Sequence, residues 1–299
     1  MSKAKSQGFS PERLARIDRL LSEKYIGPGR LPGAQVAIAR HGETVHEAVL
    51  GLADVERGAA LKGDAVFRIY SMTKPVTSVA LMTLVEEGLI ALDDPVAKHI
   101  PAWKDLGVYS AGVGPHLTTP CARPMQVVDL MRHTSGLTYG FQSRTNVDAA
   151  YRKLKLGESH GDLDLEGFVA ELAKLPLEFS PGEAWNYSVS TDVVGYLVQK
   201  VAGKPLSQVL QERIFDPLKM ASSSIVRRED LKDRHAIPVF FGNAPTEHKS
   251  SRVPGVNGAF EDPEAEMPWV GAVCSTPDLW RFAEMIRRGG LIISIELSF

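Results

Sequence analysis

The chain has 299 residues, of which 44% are hydrophobic, enough to form one large domain or two closely packed ones. Its 34 Lys and Arg residues against 36 Asp and Glu residues give a formal net charge of −2. This balance argues against a nucleic-acid binder, because the neutralisation of phosphates normally requires a strong excess of basic residues. The expected partner is therefore a small, fairly neutral molecule.

The N-terminal residues 1–13 are charged and polar, and they contain neither the apolar segment nor the cleavage site of a secretory signal. The sequence also has no apolar run of membrane-spanning length. Cys121 and Cys274 are far apart and match no metal-binding spacing, so we expect both to be reduced. These features predict a cytoplasmic protein without membrane contact.

The first predicted elements are a helix and a pair of strands. Ser10-Pro11 indicates a helix start, and apolar residues at three- and four-residue spacing extend the pattern to about residue 24. Residues 34–39 and 44–50 are rich in Val, Ile and Ala, as strands are. Because His41-Gly42 between them suits a tight turn, the two segments are predicted to form an antiparallel hairpin.

A long helix is predicted over residues 72–87, apolar around nearly its whole circumference and therefore buried. Pro75 is compatible with this helix, because in the first turn a backbone N–H has no partner within the helix. Helical patterns then alternate with Pro- and Gly-rich connections, and strand-like alternation is scarce. The remaining predictions are helices over residues 125–132, 165–175, 191–202 (capped by Ser190) and 207–215, and an irregular loop over 241–268.

Ser71-Met72-Thr73-Lys74 places a serine and a lysine three residues apart at the start of the buried helix. Residues at this spacing lie on one helix face, so the Lys74 amine is expected to reach the Ser71 hydroxyl. A serine hydroxyl is a weak nucleophile unless a base removes its proton, and a lysine buried among apolar side chains loses its own proton more readily. The pair predicts a nucleophilic serine; the alternative is a capping serine beside a lysine that extends to solvent.

The same Ser-x-x-Lys spacing also occurs at residues 2–5, in a segment that we expect to be a flexible tail. Only Ser71 follows a strand-like segment, residues 67–69, and opens a buried helix. The N-terminus of such a helix offers free N–H groups and the positive end of the helix dipole to a developing oxyanion. The context therefore favours Ser71.

Tyr187 lies between the Pro181-Gly182 turn and the helix expected after Ser190. A tyrosine on a rigidly supported loop suits proton transfer if Lys74 lies near it, whereas the alternative is a structural tyrosine bonded to the backbone. His133 follows the predicted helix 125–132 and is interpreted as structural, with a second base as the alternative. Gly136 is expected to adopt a positive φ in the turn that follows.

Several motifs are absent from the sequence. Without Gly-x-Ser-x-Gly, an α/β-hydrolase with a Ser-His-Asp triad is disfavoured. The sequence also lacks His-Glu-x-x-His, a glycine-rich dinucleotide fingerprint and a P-loop. It therefore implies neither a cofactor nor a metal.

Five segments together resemble the serine β-lactamase and penicillin-binding-protein superfamily, more closely the class C β-lactamases and above all the family VIII carboxylesterases. These segments are residues 67–74, 130–137, 179–182, 187–192 and 275–278, and they match in order and spacing over most of the chain. The resemblance implies an α+β fold in which helices flank an antiparallel sheet and a mostly helical domain is inserted. The domains are expected at residues 1–75 (α/β), 76–270 (helical) and 271–299 (return to the α/β domain).

The resemblance also implies the roles of the site residues. Ser71 is expected to be acylated, Lys74 and Tyr187 to share the proton transfers, and water to release the acid. Which of Lys74 and Tyr187 is the base stays open, as in related enzymes. Contacts with the substrate are expected from Ser188, Val189, Tyr139 and Trp269.

Two features depart from the family pattern. β-Lactamases carry Tyr-x-Asn, whose amide helps to hold the β-lactam side chain, whereas Val189 at that position has no hydrogen-bonding side chain; this favours an esterase. The third motif, Lys-Thr-Gly in lactamases and often Trp-Gly-Gly in the esterases, is not found. Trp269-Val270-Gly271 is similar, but it comes before residues 275–287, whereas the family's motif comes after the corresponding segment. Because the last sheet strands are also missing after residue 290, we expect a C-terminally truncated chain.

Three hypotheses follow for the function. The first is an esterase of short-chain or aromatic carboxylic esters, a small-molecule substrate class, with slow β-lactam hydrolysis as a side activity. The second is a β-lactamase or a D-Ala-D-Ala peptidase. The third, suggested by the missing motif, is a catalytically silent binding module that still accepts acyl ligands.

Overall fold

The computed structural model describes residues 3–157, 163–226, 228–237, 239–241, 248–250 and 271–290. The chain divides into two compact units. The first comprises Met1–Ile69, Phe215–Asn257 and Val273–Phe299, and the second comprises Tyr70–Ile214 and Gly258–Ala272. Helices and antiparallel strands both contribute, so the α+β architecture predicted from the sequence is confirmed.

The first unit begins with two helices, α1 (Lys3–Ser6) and α2 (Pro11–Leu21), and a π-helical turn (Ser22–Ile26) extends α2. The Ser10 hydroxyl caps α2 by accepting a hydrogen bond from a backbone N–H of its first turn. The helix predicted here is therefore confirmed. The flexible tail expected before it is wrong from Lys3 onward, because this segment forms α1 and buries Ala4.

A three-stranded antiparallel sheet follows, formed by β1 (Gly33–Arg40), β2 (Glu43–Asp54) and β3 (Ala59–Ala60) in that order. His41 and Gly42 turn the chain between β1 and β2 with φ angles of 54° and 82°, as a type I′ hairpin turn requires. The predicted hairpin is confirmed. Strand β2 is longer than predicted because its end pairs with β3.

Strand β4 (Val66–Arg68) ends just before the second unit begins, and it pairs antiparallel with β9 (Val273–Ser275) from the far end of the described chain. Helix α10 (Thr276–Arg287) follows β9 directly. The hydroxyl of Ser275 caps α10, and α10 packs against β1. The first unit is thus completed by a segment that comes after the whole second unit.

Two further short strands of the first unit, β7 (Val239–Phe241) and β8 (His248–Ser250), pair antiparallel. The irregular loop predicted over residues 241–268 is therefore wrong for the part of it that the structure describes. The structure does not describe residues 251–268 of that predicted loop. The segment 291–299, which follows the point where the sequence predicts missing sheet strands, also lies outside the described residues.

The second unit is mostly helical. Its helices are α3 (Thr73–Glu86), α4 (Val96–His99), α5 (Val127–Arg132), α6 (Asn146–Lys153), α7 (Leu165–Leu172), α8 (Ser190–Ala202) and α9 (Leu206–Leu210). An antiparallel pair of strands, β5 (Gly107–Ala111) and β6 (Leu117–Pro120), also belongs to this unit. The sequence predicts α3, α5, α7, α8 and α9 to within a few residues, but it predicts neither α6 nor the β5-β6 pair.

Helix α8 packs against α3, α5, α7 and α9, and its first nine residues are all buried. Helix α3 buries one face, which includes Lys74, Val76 and Leu81, but Met82 on the opposite side is 40% exposed. The prediction that α3 is a buried helix therefore holds for this face only. Positions 79, 82 and 85, which lie at three-residue spacing, are apolar but only partly buried or exposed.

The start of α8 also differs from the prediction. Val189 occupies the cap position without a side-chain cap bond, and Ser190 is the first helical residue. The Ser190 hydroxyl instead lies 2.7 Å from the hydroxyls of both Ser188 and Ser135. The Ser190 hydroxyl therefore forms hydrogen bonds inside the unit instead of capping the helix.

Both cysteines are free thiols, as predicted. Burial raises the pKa of the Cys274 thiol to about 12, so it stays protonated at neutral pH. Within the described part of the chain, no helix has both the length and the apolar character that crossing a bilayer requires.

Candidate active site

Three of the predicted site residues meet in the second unit. The Ser71 Oγ lies 2.7 Å from the Tyr187 Oη and 3.3 Å from the Lys74 Nζ, so the serine hydroxyl is hydrogen-bonded to both groups. Ser71 is exposed, whereas Lys74 is only 9% exposed. The arrangement presents a hydroxyl to solvent and places two proton-carrying groups beside it.

The chain geometry around Ser71 explains its exposure. A 3-10 turn (Tyr70–Met72) precedes α3, and Tyr70 has a φ of 44°, in the left-handed region that bulky side chains rarely adopt. The left-handed residue lies directly before Ser71, which is exposed. Because Lys74 follows three positions later, its side chain lies on the same face of the helix start as Ser71.

Two aromatic rings border the Lys74 ammonium. The Nζ lies 5.1 Å from the ring centroid of Tyr187 and 5.7 Å from that of Tyr139. The negative face of an aromatic ring attracts a cation at this range. The two rings therefore stabilise the Lys74 amine in its position below Ser71.

Backbone contacts hold Tyr187 in a loop before α8. Gln142 donates a side-chain hydrogen bond to the Tyr187 carbonyl oxygen. The neighbouring Asn186 donates its backbone N–H to the His133 carbonyl oxygen at 2.9 Å and its side-chain amide to the Leu137 carbonyl oxygen at 3.1 Å. Bonds on both sides thus fix the loop from which the Tyr187 phenol reaches Ser71.

The predicted substrate contacts are placed differently. Ser188 and Val189 are fully buried and Tyr139 is 2% exposed, so these three side chains lie behind the site rather than on its surface. The reason is that the chain turns inward after Tyr187 to begin α8. Burial and the nearby charges raise the pKa of the Tyr139 phenol far above its ordinary value, so it stays neutral. Trp269 lies outside the described residues.

His133 lies against the Tyr187 ring, with the ring centroids 5.0 Å apart, and its Nδ1 is 3.2 Å from the Ser188 Oγ. Burial and the nearby charge of Lys74 lower the pKa of His133 to about 4, so its ring is neutral at pH 7 and is a weak base. The contacts fit the structural interpretation of His133. Gly136, in the turn that follows, has the positive φ predicted from the sequence, 85°.

Two aromatic residues at the site were not singled out by the sequence reasoning. Phe141 stacks on Tyr139 with ring centroids 4.9 Å apart, and Trp185 stacks on Tyr187 with centroids 6.5 Å apart. Each lies two positions from a tyrosine of the predicted site. The sequence signal that could have identified them is an aromatic residue two positions from Tyr139 and from Tyr187.

No group of three or more His, Cys, Asp or Glu side chains that could hold a metal ion occurs among the residues that the structure describes. An exposed hydroxyl with two hydrogen-bonded proton carriers suits nucleophilic attack followed by proton transfer.

Several known proteins are similar to this chain. The esterase EstB of Burkholderia gladioli is 33% identical over 230 residues, which cover 76% of this chain and 55% of EstB. Protein Rv1367c of Mycobacterium tuberculosis is 35% identical over 209 residues, which cover 70% of this chain and 51% of that protein. This chain thus spans about half the length of both relatives.

Among solved structures, EstCE1, described as a hydrolase with promiscuous acyltransferase activity, superposes with a TM-score of 0.79 at 25% identity. The superposition covers 93% of this chain and 73% of EstCE1, so the predicted β-lactamase/penicillin-binding-protein-like fold is confirmed. Residues 18–295 also match the protein family described as beta-lactamase, which is nearly the whole chain. The chain therefore belongs to the beta-lactamase family.

Proposed function

We propose that this chain carries the active centre of a serine hydrolase that cleaves carboxylic esters through an acyl-enzyme on Ser71. The observation that carries the proposal is the pair of hydrogen bonds at the exposed Ser71 Oγ, 2.7 Å to the Tyr187 Oη and 3.3 Å to the Lys74 Nζ. A hydroxyl in such contact with two groups that can take and return its proton is activated for attack.

In the first half of the reaction, the Ser71 Oγ attacks the carbonyl carbon of the ester while its proton passes to the Lys74-Tyr187 pair. The tetrahedral intermediate carries a negative charge on the former carbonyl oxygen, and the N-terminal end of α3 lies next to Ser71 with its positive dipole end. When the bond to the alcohol oxygen breaks, the pair returns the proton to the leaving alcohol. The acyl group remains on Ser71.

In the second half, water attacks the acyl carbon and gives its proton to the same pair. The bond between the acyl carbon and the Ser71 Oγ then breaks, the free acid leaves, and Ser71 takes the proton back. The Lys74-Tyr187 pair thus acts as the base in each attack and as the acid each time a tetrahedral intermediate breaks down. The second half of the reaction repeats the first, with water in place of Ser71.

Two observations favour esters over β-lactams. Val189 stands where β-lactamases carry an amide, and it is fully buried, so this position offers a β-lactam side chain neither a hydrogen bond nor a surface. EstB, with which this chain shares 33% identity, is named as an esterase. A β-lactamase or a D-Ala-D-Ala peptidase remains the second candidate for the same serine chemistry.

The test is to label the protein with an organophosphonate probe and to find the modified residue by mass spectrometry, beside assays with a p-nitrophenyl ester and a chromogenic cephalosporin. We expect label on Ser71 alone and faster turnover of the ester. Ser135 and Ser188 are the internal controls, because both are buried serines of the same unit. Label on either with Ser71 unmodified would refute the assignment, and label without turnover of any substrate would favour a silent binding module.

A further inference from the structure

Exposed aromatic side chains are concentrated around Ser71. Of the aromatic residues that the structure describes, four are exposed: Tyr25, Tyr70, Phe141 and Trp185. The last three lie one or two positions in sequence from Ser71, Tyr139 and Tyr187, whereas Tyr25 belongs to the other unit. Single exposed apolar residues are common on proteins, but a group beside a reactive hydroxyl indicates a binding surface.

Phe141 is exposed on one face and held on the other. Its side chain is 67% exposed, and its ring stacks on the buried Tyr139 at an interplanar angle of 21°. The short 3-10 turn that carries it (Gly140–Gln142) is fixed at both ends, because Arg152 donates to the Gly140 carbonyl oxygen and Gln142 donates to the Tyr187 carbonyl oxygen. The outer face of Phe141 is therefore presented without a need for reordering.

Trp185 shows the same arrangement two positions before Tyr187. Its side chain is 66% exposed, and its ring stacks on the Tyr187 ring at an interplanar angle of 25°. The His133 ring meets it edge-on at 6.3 Å between centroids. The adjacent Asn186 is buried and bonded to the backbone of the His133–Leu137 turn, so the base of Trp185 is fixed as well.

The position of these rings favours one kind of ligand, a flat aromatic group. The phenol of Tyr187 is bonded to Ser71, and Trp185 stacks on the same tyrosine ring, so Trp185 borders the residue that contacts the reacting hydroxyl. Both exposed rings are near parallel to the ring behind them, and their outer faces can extend the stack by one more flat ring. An alkyl group would gain only from burial of apolar area, whereas an aryl group gains from stacking as well.

We propose an aryl subsite at the exposed rings of Phe141 and Trp185, where one of the two rings holds an aromatic ring of the ester while Ser71 attacks its carbonyl. The inference rests on the proposed function, because it names the group that the ester presents to the site. The aryl subsite gives the enzyme a preference for esters with a flat ring over esters with a saturated ring of similar size. Since both rings are already fixed before the ligand binds, little conformational entropy of the side chains is lost on binding.

The experiment compares two pairs of esters that differ only in the ring. Ethyl phenylacetate against ethyl cyclohexylacetate tests a ring in the acyl part, and benzyl acetate against cyclohexylmethyl acetate tests a ring in the alcohol part. The ratio of kcat/KM within each pair is measured for the unaltered 299-residue chain and for the variants Trp185→Leu and Phe141→Leu. Tyr25→Leu is the matched control, because it removes an exposed aromatic ring elsewhere.

We expect the aryl preference to fall by about 3- to 10-fold in Trp185→Leu or in Phe141→Leu for one of the two ester pairs, the size of a lost stacking contact, and to stay unchanged in Tyr25→Leu. The pair that responds shows which side of the ester the ring occupies. Ratios that Trp185→Leu and Phe141→Leu leave unchanged in both pairs would overturn the aryl subsite.

Binding to Ser71→Ala protein, followed by ligand-observed NMR, separates this inference from the proposed function. If no ester is turned over but the aromatic ester of either pair binds more tightly than its saturated partner, and Trp185→Leu or Phe141→Leu removes the difference, the aryl subsite stands and the esterase does not. If the two esters bind equally in both pairs, the aryl subsite is refuted whatever the turnover.

Discussion

Tyr187 and Lys74 approach the same oxygen from different parts of the chain. Tyr187 lies 116 positions after Ser71, yet its phenol is the nearer partner at 2.7 Å. The Lys74 amine, one helical turn away at 3.3 Å, is also close to the Tyr187 ring. Because each group contacts the other as well as Ser71, we expect the two to act as one unit in proton transfer.

Removal of either group should slow ester turnover strongly. Lys74→Ala and Tyr187→Phe should each lower kcat by roughly 10² to 10⁴-fold, the range for loss of a general acid–base group, while the fold is retained. The double variant should be little worse than either single one. Steady-state kinetics with a p-nitrophenyl ester, supported by circular dichroism, measure this.

The matched control is Lys200→Ala. The Lys200 ammonium also lies over a tyrosine ring, that of Tyr196, and it bonds the hydroxyl of that tyrosine. This variant should retain turnover. A Tyr187→Phe enzyme with full activity would instead make Tyr187 a structural residue.

At the scale of single residues, the Ser71-Lys74 contact was predictable because three-residue spacing at a helix start determines it locally. The Tyr187 contact was predicted only through a family resemblance, since no local rule brings two residues 116 positions apart together. Ser188 and Val189 were predicted to contact the substrate, but both are buried. The sequence does not show which way the chain turns after Tyr187. Trp185, exposed on that same loop, was missed for the same reason.

At the scale of elements, periodic patterns were the reliable signal. The β1-β2 hairpin and helices α3 and α8 have clear apolar patterns and turn residues, and the structure contains them. The β5-β6 pair was missed because β6 is exposed throughout and therefore has no buried-exposed alternation. Helix α6 was missed because its buried face contains only two apolar side chains, Val147 and Tyr151, beside Asp148, although the capping box of Thr145 and Asp148 marks its start.

The turn after α6 supports the site from behind. Gly157 has a φ of 76°, and a Cβ added there would lie 2.9 Å from the Val189 Cγ1 and 3.2 Å from the Tyr139 Cδ1. Gly203, at the end of α8, has a φ of 64° but nothing within 4 Å of such a Cβ. The two positions thus share the left-handed conformation and differ only in the space available.

Gly157→Ala should destabilise the protein more than Gly203→Ala. Both variants incur the cost of an L-residue in the left-handed region, about 1 to 2 kcal/mol, and only Gly157→Ala adds overpacking of about 1 to 3 kcal/mol. Urea unfolding gives both values. We also expect Gly157→Ala to reduce ester turnover, because it displaces the residues that border Lys74 and Tyr187. Equal losses of stability in the two variants would contradict the close packing at Gly157.

At the scale of the whole molecule, the ion pair between Asp94 and the exposed Lys98 contributes to the response to acid. The Lys98 ammonium, which donates to both carboxylate oxygens of Asp94 at 2.8 and 2.9 Å, holds the pKa of Asp94 at about 2, well below its ordinary value of 3.8. The Ala91 backbone N–H and the His99 ring add to this effect. Because the folded state holds the carboxylate in its charged form, the contribution to stability is complete above about pH 4. It is lost as the pH falls through about 2.

The variant Asp94→Asn should therefore flatten the acid dependence of stability. At pH 6 it should be less stable than the unaltered protein by at most about 2 kcal/mol, and the difference should shrink toward pH 2. Urea unfolding at pH 6, 4 and 3 measures it, with the exposed neighbour Asp93→Asn as the control. A difference that stays constant over this range would show that Asp94 contributes through packing rather than through its charge.

The long-range contacts near Ser71 have a consequence for synthesis on the ribosome. The Thr73 hydroxyl accepts a hydrogen bond from the Ala272 backbone N–H, 199 positions later, and all three residues of strand β4 pair with β9. At about 5 to 20 residues per second, a nascent chain that has just exposed Thr73 waits on the order of ten seconds or more for these partners. The β1-β2 hairpin, being local, can form at once. Thr73 therefore gains this contact only after residue 272 has been synthesised, so the reactivity of the neighbouring Ser71 toward acyl groups should arise only after that point.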